Sequence, residues 1–390
     1  VLIDLDVAPA PAPERDRRIP WRKLRGAAAA AVLLLLGGAA APPRIEAFPQ
    51  IAGTSGRAAI TVLLTPEALY TAHPAADEGT DLVARPLRPG GPAWQVHLQL
   101  IPGADLRLTR SGAVLVATDE TELVALDPAT GKERWSAASP PTLLGDRALL
   151  SDWDDDVGVM RLADLATGRI LWSRPAEATG AMLDPAGRYL LTLDGLGSAQ
   201  VWSAADGRPL GSRVVDEAID PDDPLAVLAG DQAYVLGPTT ITALRLPDLK
   251  LAWAQPSSVL MPRDAVLCGA LLCVLGERGL TAFDPRTGAV RWTAPGWHDY
   301  ADGVVRSLDG RLALLDLTTG EVLRRLGRGE VTDGLLLRAA GDHTEVTDLR
   351  TGRLYGTLPR VLSYGCTAVD DLVACPDRGA TVVFRIRRGS

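Results

Sequence analysis

The densest concentration of side chains suited to acid–base chemistry is Trp297-His298-Asp299-Tyr300. Histidine titrates near neutrality, and a neighbouring carboxylate or phenol could orient it or share its proton. The chain has no G-x-S-x-G elbow, no P-loop and no H-E-x-x-H to supply a nucleophile or metal partner. The cluster therefore reads as a surface loop, with His298, Asp299 and Tyr300 as candidate ligand-site residues. Asp152-Trp153-Asp154-Asp155-Asp156 is a second concentration. It lacks the spacing and glycine of an EF-hand loop and reads as a solvated hairpin turn. Asp216-Glu217 and Asp220-Pro221-Asp222-Asp223 read the same way.

The four cysteines form two local pairs. A two-residue turn at Asp370-Asp371 pairs Val369 with Leu372, and counting outward places Cys366 opposite Cys375. A cross-strand disulfide is expected there. Cys268 and Cys273 flank a similar hairpin, but a turn at Gly269-Ala270 leaves them diagonal. There is no C-x2-C, and the four histidines lie elsewhere, so no metal site is expected.

What must position these residues is a repeat. In LVALDPATGKERW an alternating apolar run ends at Asp127, a turn carries Thr130 and Gly131, and a second strand reaches Trp135. Alternation with turn-forming Asp, Pro and Gly describes a β-hairpin. The pattern D-x2-T-G-x3-W recurs as Asp164, Thr167, Gly168, Trp172 and as Asp284, Thr287, Gly288, Trp292. Decayed copies keep Asp316 with Thr319-Gly320, Asp348 with Thr351-Gly352, Asp206-Gly207, Trp253, and Gly90 with Trp94. Tryptophan-equivalent positions fall at 94, 135, 172, 211, 253, 292, 324 and 356. A near-constant period built of short strands marks a solenoid or propeller.

At these residues the chain resembles the tryptophan-docking repeat of quinoprotein-type β-propellers, the PQQ-like repeat that also builds the BamB outer-membrane assembly lipoprotein. The resemblance spans roughly residues 57–390 and implies an all-β propeller of four-stranded blades. Eight blades are expected, or seven, since the repeats ending near 324 and 356 are short. Each repeat is read as four strands, for example Val96 to Ile101, Ala113 to Thr118, Thr121 to Asp127 and Glu133 to Ala137. The last repeat lacks a fourth strand, which the strand around Trp94 is expected to supply, removing exposed edges. The template residues have structural work that needs no ligand: glycine for a positive φ, Asp and Thr for turn backbone groups, tryptophan for packing between blades. None is expected to be catalytic. The family's quinone enzymes have adjacent cysteines and an asparagine among their calcium ligands. This sequence has no Cys-Cys pair and no asparagine, so no cofactor is expected.

The N-terminal region reads differently. Residues 1–25 are a polar, Pro/Ala-containing tail ending in Arg15, Arg17, Arg18, Arg22, Lys23 and Arg25. The apolar run from Gly26 to Ala41, bounded by Pro42-Pro43, is expected to be a transmembrane anchor over 26–43 or a cleaved signal peptide. The flanking charge places the tail in the cytoplasm and the rest outside. No cysteine follows the run to carry lipid. Residues 44–56 are a linker before the propeller at 57–390.

With 47% hydrophobic and 23% charged residues the chain is globular, and a net charge of −8 without a basic stripe argues against nucleic acid. The expected function is an exported, membrane-anchored binding or scaffolding propeller with an envelope-protein partner. The alternative is an exported enzyme, or a degenerate quinoprotein oxidoreductase, with a site in the ring's mouth.

Overall fold

In a computed structural model of the chain, residues 46–54, 58–103, 105–139, 141–154, 157–175, 180–194, 197–215, 225–301, 303–362 and 365–388 are described. The expected tail at 1–25 and membrane segment at 26–43 lie outside these residues, as do Asp155, Asp156 and the acidic stretch from Asp216 to Asp223.

The described residues form nine antiparallel sheets of four strands each. In chain order we number these blades 1 (61–98), 2 (107–137), 3 (141–175), 4 (180–214), 5 (226–256), 6 (264–295), 7 (299–328), 8 (330–359) and 9 (367–385). Blade 9 takes its fourth strand from Gln50–Gly53. Burial explains the sequence pattern. A middle strand of a blade has another blade against each face, so it reads as a continuous apolar run rather than an alternating one. Val114–Thr118 and Gly279–Phe283 are buried along their whole length. Outer strands face solvent and are polar apart from one anchor: in Lys250–Pro256 only Trp253 is buried.

The count corrects the expected eight or seven. Trp94 does not complete the last blade; it opens the outer strand of blade 1, where it pairs with Ala84. Likewise Val96 lies in that outer strand, and the inner strand of blade 2 is Arg107–Ser111. Residues 61–98 are thus a whole blade; the template marks its Gly90 and Trp94, but with no Asp-x2-Thr-Gly in the third-to-fourth turn the Trp94 strand was expected in the last blade instead.

Ring closure falls to the stretch read as linker. Phe48 N–H donates to Thr357 O at 2.9 Å and Thr357 N–H to Glu46 O at 2.8 Å, so the chain first runs along the edge of blade 8. It then pairs with Ala380–Arg385, with Gln50 opposite Phe384 and Ala52 opposite Val383. Thr381 N–H donates to Thr54 Oγ1 at 2.8 Å, fixing the end of that strand. The inner strand of blade 1 packs against those of blades 2 and 9.

Both disulfides are present. Cys366–Cys375 crosses the hairpin of blade 9, where Thr367 opposes Ala374, with Cα atoms 4.2 Å apart. Cys268–Cys273 in blade 6 runs diagonally, since Cys268 opposes Leu271 and Cys273 opposes Val266.

Candidate functional site

The repeated residues come together at each blade-to-blade junction. In the turn of blade 2, Asp127 Oδ1 accepts the N–H groups of Ala129 and Thr130 and the Thr130 hydroxyl. Its other oxygen takes Arg134 Nη2 at 2.7 Å, and that guanidinium first, with the turn donors, lowers the Asp127 pKa. Asp164 with Thr167, and Asp348 with Thr351, repeat the arrangement. Asp284 accepts Arg286 N–H and pairs with Arg291.

The tryptophan of one blade docks on the turn of the next. The indole N–H groups of Trp94, Trp135, Trp172, Trp253 and Trp292 donate to Pro128, Leu165, Ala204, Pro285 and Leu317 O at 3.0, 3.0, 3.1, 2.9 and 3.1 Å. The turn glycine lies directly under the ring. Gly168 has φ +70°, and a Cβ there would sit 2.5 Å from the Trp135 ring. Truncating a buried aromatic of this size costs roughly 3–5 kcal/mol, so these junctions hold the ring together.

Four junctions depart from the pattern, one of them blade 9 onto blade 1, where the outer strand Gln50–Gly53 carries no tryptophan. At Gly211 in blade 4 the backbone of the blade 5 turn moves in; a Cβ at that position would meet Pro247 O at 2.7 Å. At Gly356 in blade 8 the Phe48 ring takes the space, buried between blades 8 and 9. At blade 7 the position is Arg324, whose Nη2 donates to Leu349 O as an indole would.

Sequence reasoning missed two further patterns. Tyr70 and Tyr234 donate their hydroxyls to the carbonyls already held by Trp94 and Trp253, those of Pro128 and Pro285. Burial pushes the Tyr234 pKa up to about 12, helped by Asp231 and Asp284, so the hydroxyl stays a donor. The two tyrosines are separated from their tryptophans by turns of different length, which hides the pairing from a fixed-spacing template. His97 lies between Asp77 at 3.2 Å and Asp81 at 3.1 Å, with Gln99 at 3.1 Å, on the outer face of blade 1. It ties a hairpin and faces no nucleophile.

The structure does not bring His298, Asp299 and Tyr300 together. His298 Nδ1 lies 3.4 Å from Arg263 Nη2, whereas the Asp299 carboxylate turns to Arg306 Nε at 3.7 Å. Asp299 and Tyr300 line a cleft of about 560 Å³ bordered by residues of blades 6, 7 and 8. At its centre Arg306 also pairs with Glu330 at 3.1 Å. Among the described residues no cluster of three His, Cys, Asp or Glu side chains converges to hold a metal.

The aliphatic side chains give a different picture. Antiparallel blades put the interblade connections and second-to-third strand turns at one end of the ring, and the docking turns at the other. Leu308 (82% exposed), Val214 (65%), Met261 (63%) and Ile101 (61%) all lie at the first end, with Leu260 and Leu362. Among the described residues Leu323 (62%) lies elsewhere, on the outer strand of blade 7, and the less exposed Val290, Leu267, Leu251 and Ile170 lie toward the docking-turn end.

Residues 80–196 match the family model described as outer membrane protein assembly factor BamB. Similar solved structures include BamB from Moraxella catarrhalis, at 14% identity and TM-score 0.49, covering 87% of this chain and 99% of that one. The computationally designed Ika8 protein is 13% identical with TM-score 0.52, over 86% of this chain and 98% of its own, a likeness of fold alone. The C-terminal WD40 domain of Sif2 is 10% identical with TM-score 0.47, over 88% of this chain and 99% of its own. A search of curated proteins finds no match.

Proposed function

We propose that this chain, a β-propeller built on the BamB-type, PQQ-like repeat, is a scaffold that docks a protein of the cell envelope. The docking surface is the end of the ring formed by the interblade connections. One observation carries this reading: four of the five most exposed aliphatic residues among those described, Leu308, Val214, Met261 and Ile101, lie at that end. Solvent-exposed apolar side chains cost free energy unless a partner covers them, and clustering them on loops of a rigid ring is the usual form of a recognition surface. The polar residues that an enzyme would need are dispersed, each engaged in a local ion pair or hydrogen bond. The two disulfides support an oxidising, extracytoplasmic compartment, and residues 26–43 would hold the propeller at the membrane.

The test is photo-crosslinking in intact cells, with a crosslinkable residue at Leu308 or Met261, and at Thr318 at the opposite end as control. A discrete protein adduct from the first two positions, absent from the third and lost when Val214→Asp and Ile101→Asp are added, is expected. Equal adducts from both ends, or none while the purified chain retains a small molecule in native mass spectrometry, would replace the scaffold by a ligand-binding reading.

A further inference from the structure

We infer that the cleft between blades 7 and 8 beside Arg324 is a binding site for a small phosphate-class oxyanion. The site exists because the repeat is broken there. At five other junctions an indole fills this place. At blade 7 the guanidinium of Arg324 lies over Gly352 and keeps the hydrogen bond to the following turn, at Leu349 O. It reproduces the donor of an indole but not its volume. The space left is a cleft of about 230 Å³, lined by Arg324, Arg325, Arg338, Leu336, Glu345 and Asp348 among others.

Its electrostatics favour an anion. The Glu345 carboxylate is held by Arg338, at 2.7 Å and 3.1 Å. Asp348 is occupied by Thr351 and by the Tyr355 hydroxyl at 2.7 Å. Among the described residues neither Arg324 nor Arg325 has an acidic partner within ion-pair distance, and three arginines against the Glu345 and Asp348 carboxylates leave the lining with one net positive charge. Arg324 Nε is also buried with no hydrogen-bond partner. A buried charged donor without an acceptor is costly, and an oxyanion in the cleft would supply one. Guanidinium groups recognise tetrahedral oxyanions through paired N–H donors, and a cleft of this size admits free phosphate or the end of a phosphomonoester.

Calorimetric titration of the folded protein with inorganic phosphate, and separately with glycerol phosphate, tests this at constant ionic strength set with chloride. Saturable one-site binding is expected. It should weaken at least about tenfold in Arg325→Gln, which removes one charge–oxyanion contact, and vanish in Arg324→Trp, which restores the indole and fills the cleft. Tighter binding of glycerol phosphate identifies a phosphomonoester; equal binding identifies the free ion. Arg324→Met serves the same purpose if the tryptophan variant does not fold. Absence of saturable binding of both probes, or binding unchanged in the Arg324 and Arg325 variants, overturns the proposal.

Discussion

At the scale of single residues, the docking turns convert a carboxylate into a fixed structural charge. The backbone N–H of Thr351 first, then its hydroxyl and the Tyr355 hydroxyl, hold the Asp348 pKa down at about 2 from 3.8. A carboxylate whose folded pKa is depressed contributes stability that is complete above the unfolded value and disappears as pH falls through the folded one. Asp348→Ala should therefore cost about 1–2 kcal/mol at neutral pH, allowing for solvent screening. The deficit should shrink between pH 4 and pH 2, as read from thermal melts. A deficit independent of pH over that window would assign the loss to packing instead. The aspartates, threonines and glycines of these turns were legible because their spacing is fixed by one turn geometry. Arg324 and Phe48 were not, because a template keyed on tryptophan follows residue type, whereas the junction selects for a donor or for volume.

At the scale of the element, a blade is defined by what its neighbours leave room for. Gly168 and Gly145 have nearly the same backbone, φ +70° and +68°, but a Cβ at Gly168 meets the Trp135 ring and one at Gly145 meets nothing within 4 Å. Both alanine variants bear the cost of a left-handed backbone, about 1 kcal/mol. Gly168→Ala should lose about 1–3 kcal/mol more from overpacking, measurable as a difference in denaturant midpoint between the two. Equal losses would mean that the indole moves aside freely. Middle strands such as Val114–Thr118 announce themselves by continuous apolarity. Inner strands do not: Asp299–Ala301, Glu330–Thr332 and Thr367–Val369 have three residues each, too few for any period to show.

At the scale of the whole molecule, the all-β propeller, its four-stranded blades and both disulfides could be read from the chain, while the blade number could not. A ring closes through pairing between residues far apart in sequence, and nothing local in Gln50–Gly53 marks it as a partner of Ala380–Arg385. The first blade was misassigned for a related reason. Its tryptophan is intact, but the turn in its hairpin is Arg-Pro-Gly-Gly, so Trp94 looked like a stray strand seeking a sheet. The directions taken by His298, toward Arg263, and by Asp299, toward Arg306, are set by geometry that only the paired strands define. The aliphatic end of the ring was equally hidden, since Ile101, Val214, Met261 and Leu308 share a face only once the blades are stacked.

The nine-bladed ring closed by residues 50–53 is the frame on which the assignment of ends, junctions and the blade 7–8 cleft depends. Paired cysteine substitutions test it most directly, because a disulfide forms only between residues whose Cα atoms already lie within about 7 Å. Ala52→Cys with Val383→Cys, oxidised in the purified protein and mapped by peptide mass spectrometry, should give an intramolecular bridge at the register of the closing strand. Gln95→Cys with Val383→Cys should give none. A bridge between 95 and 383, with none between 52 and 383, would restore the eight-bladed ring closed by the Trp94 strand and contradict the structure described above.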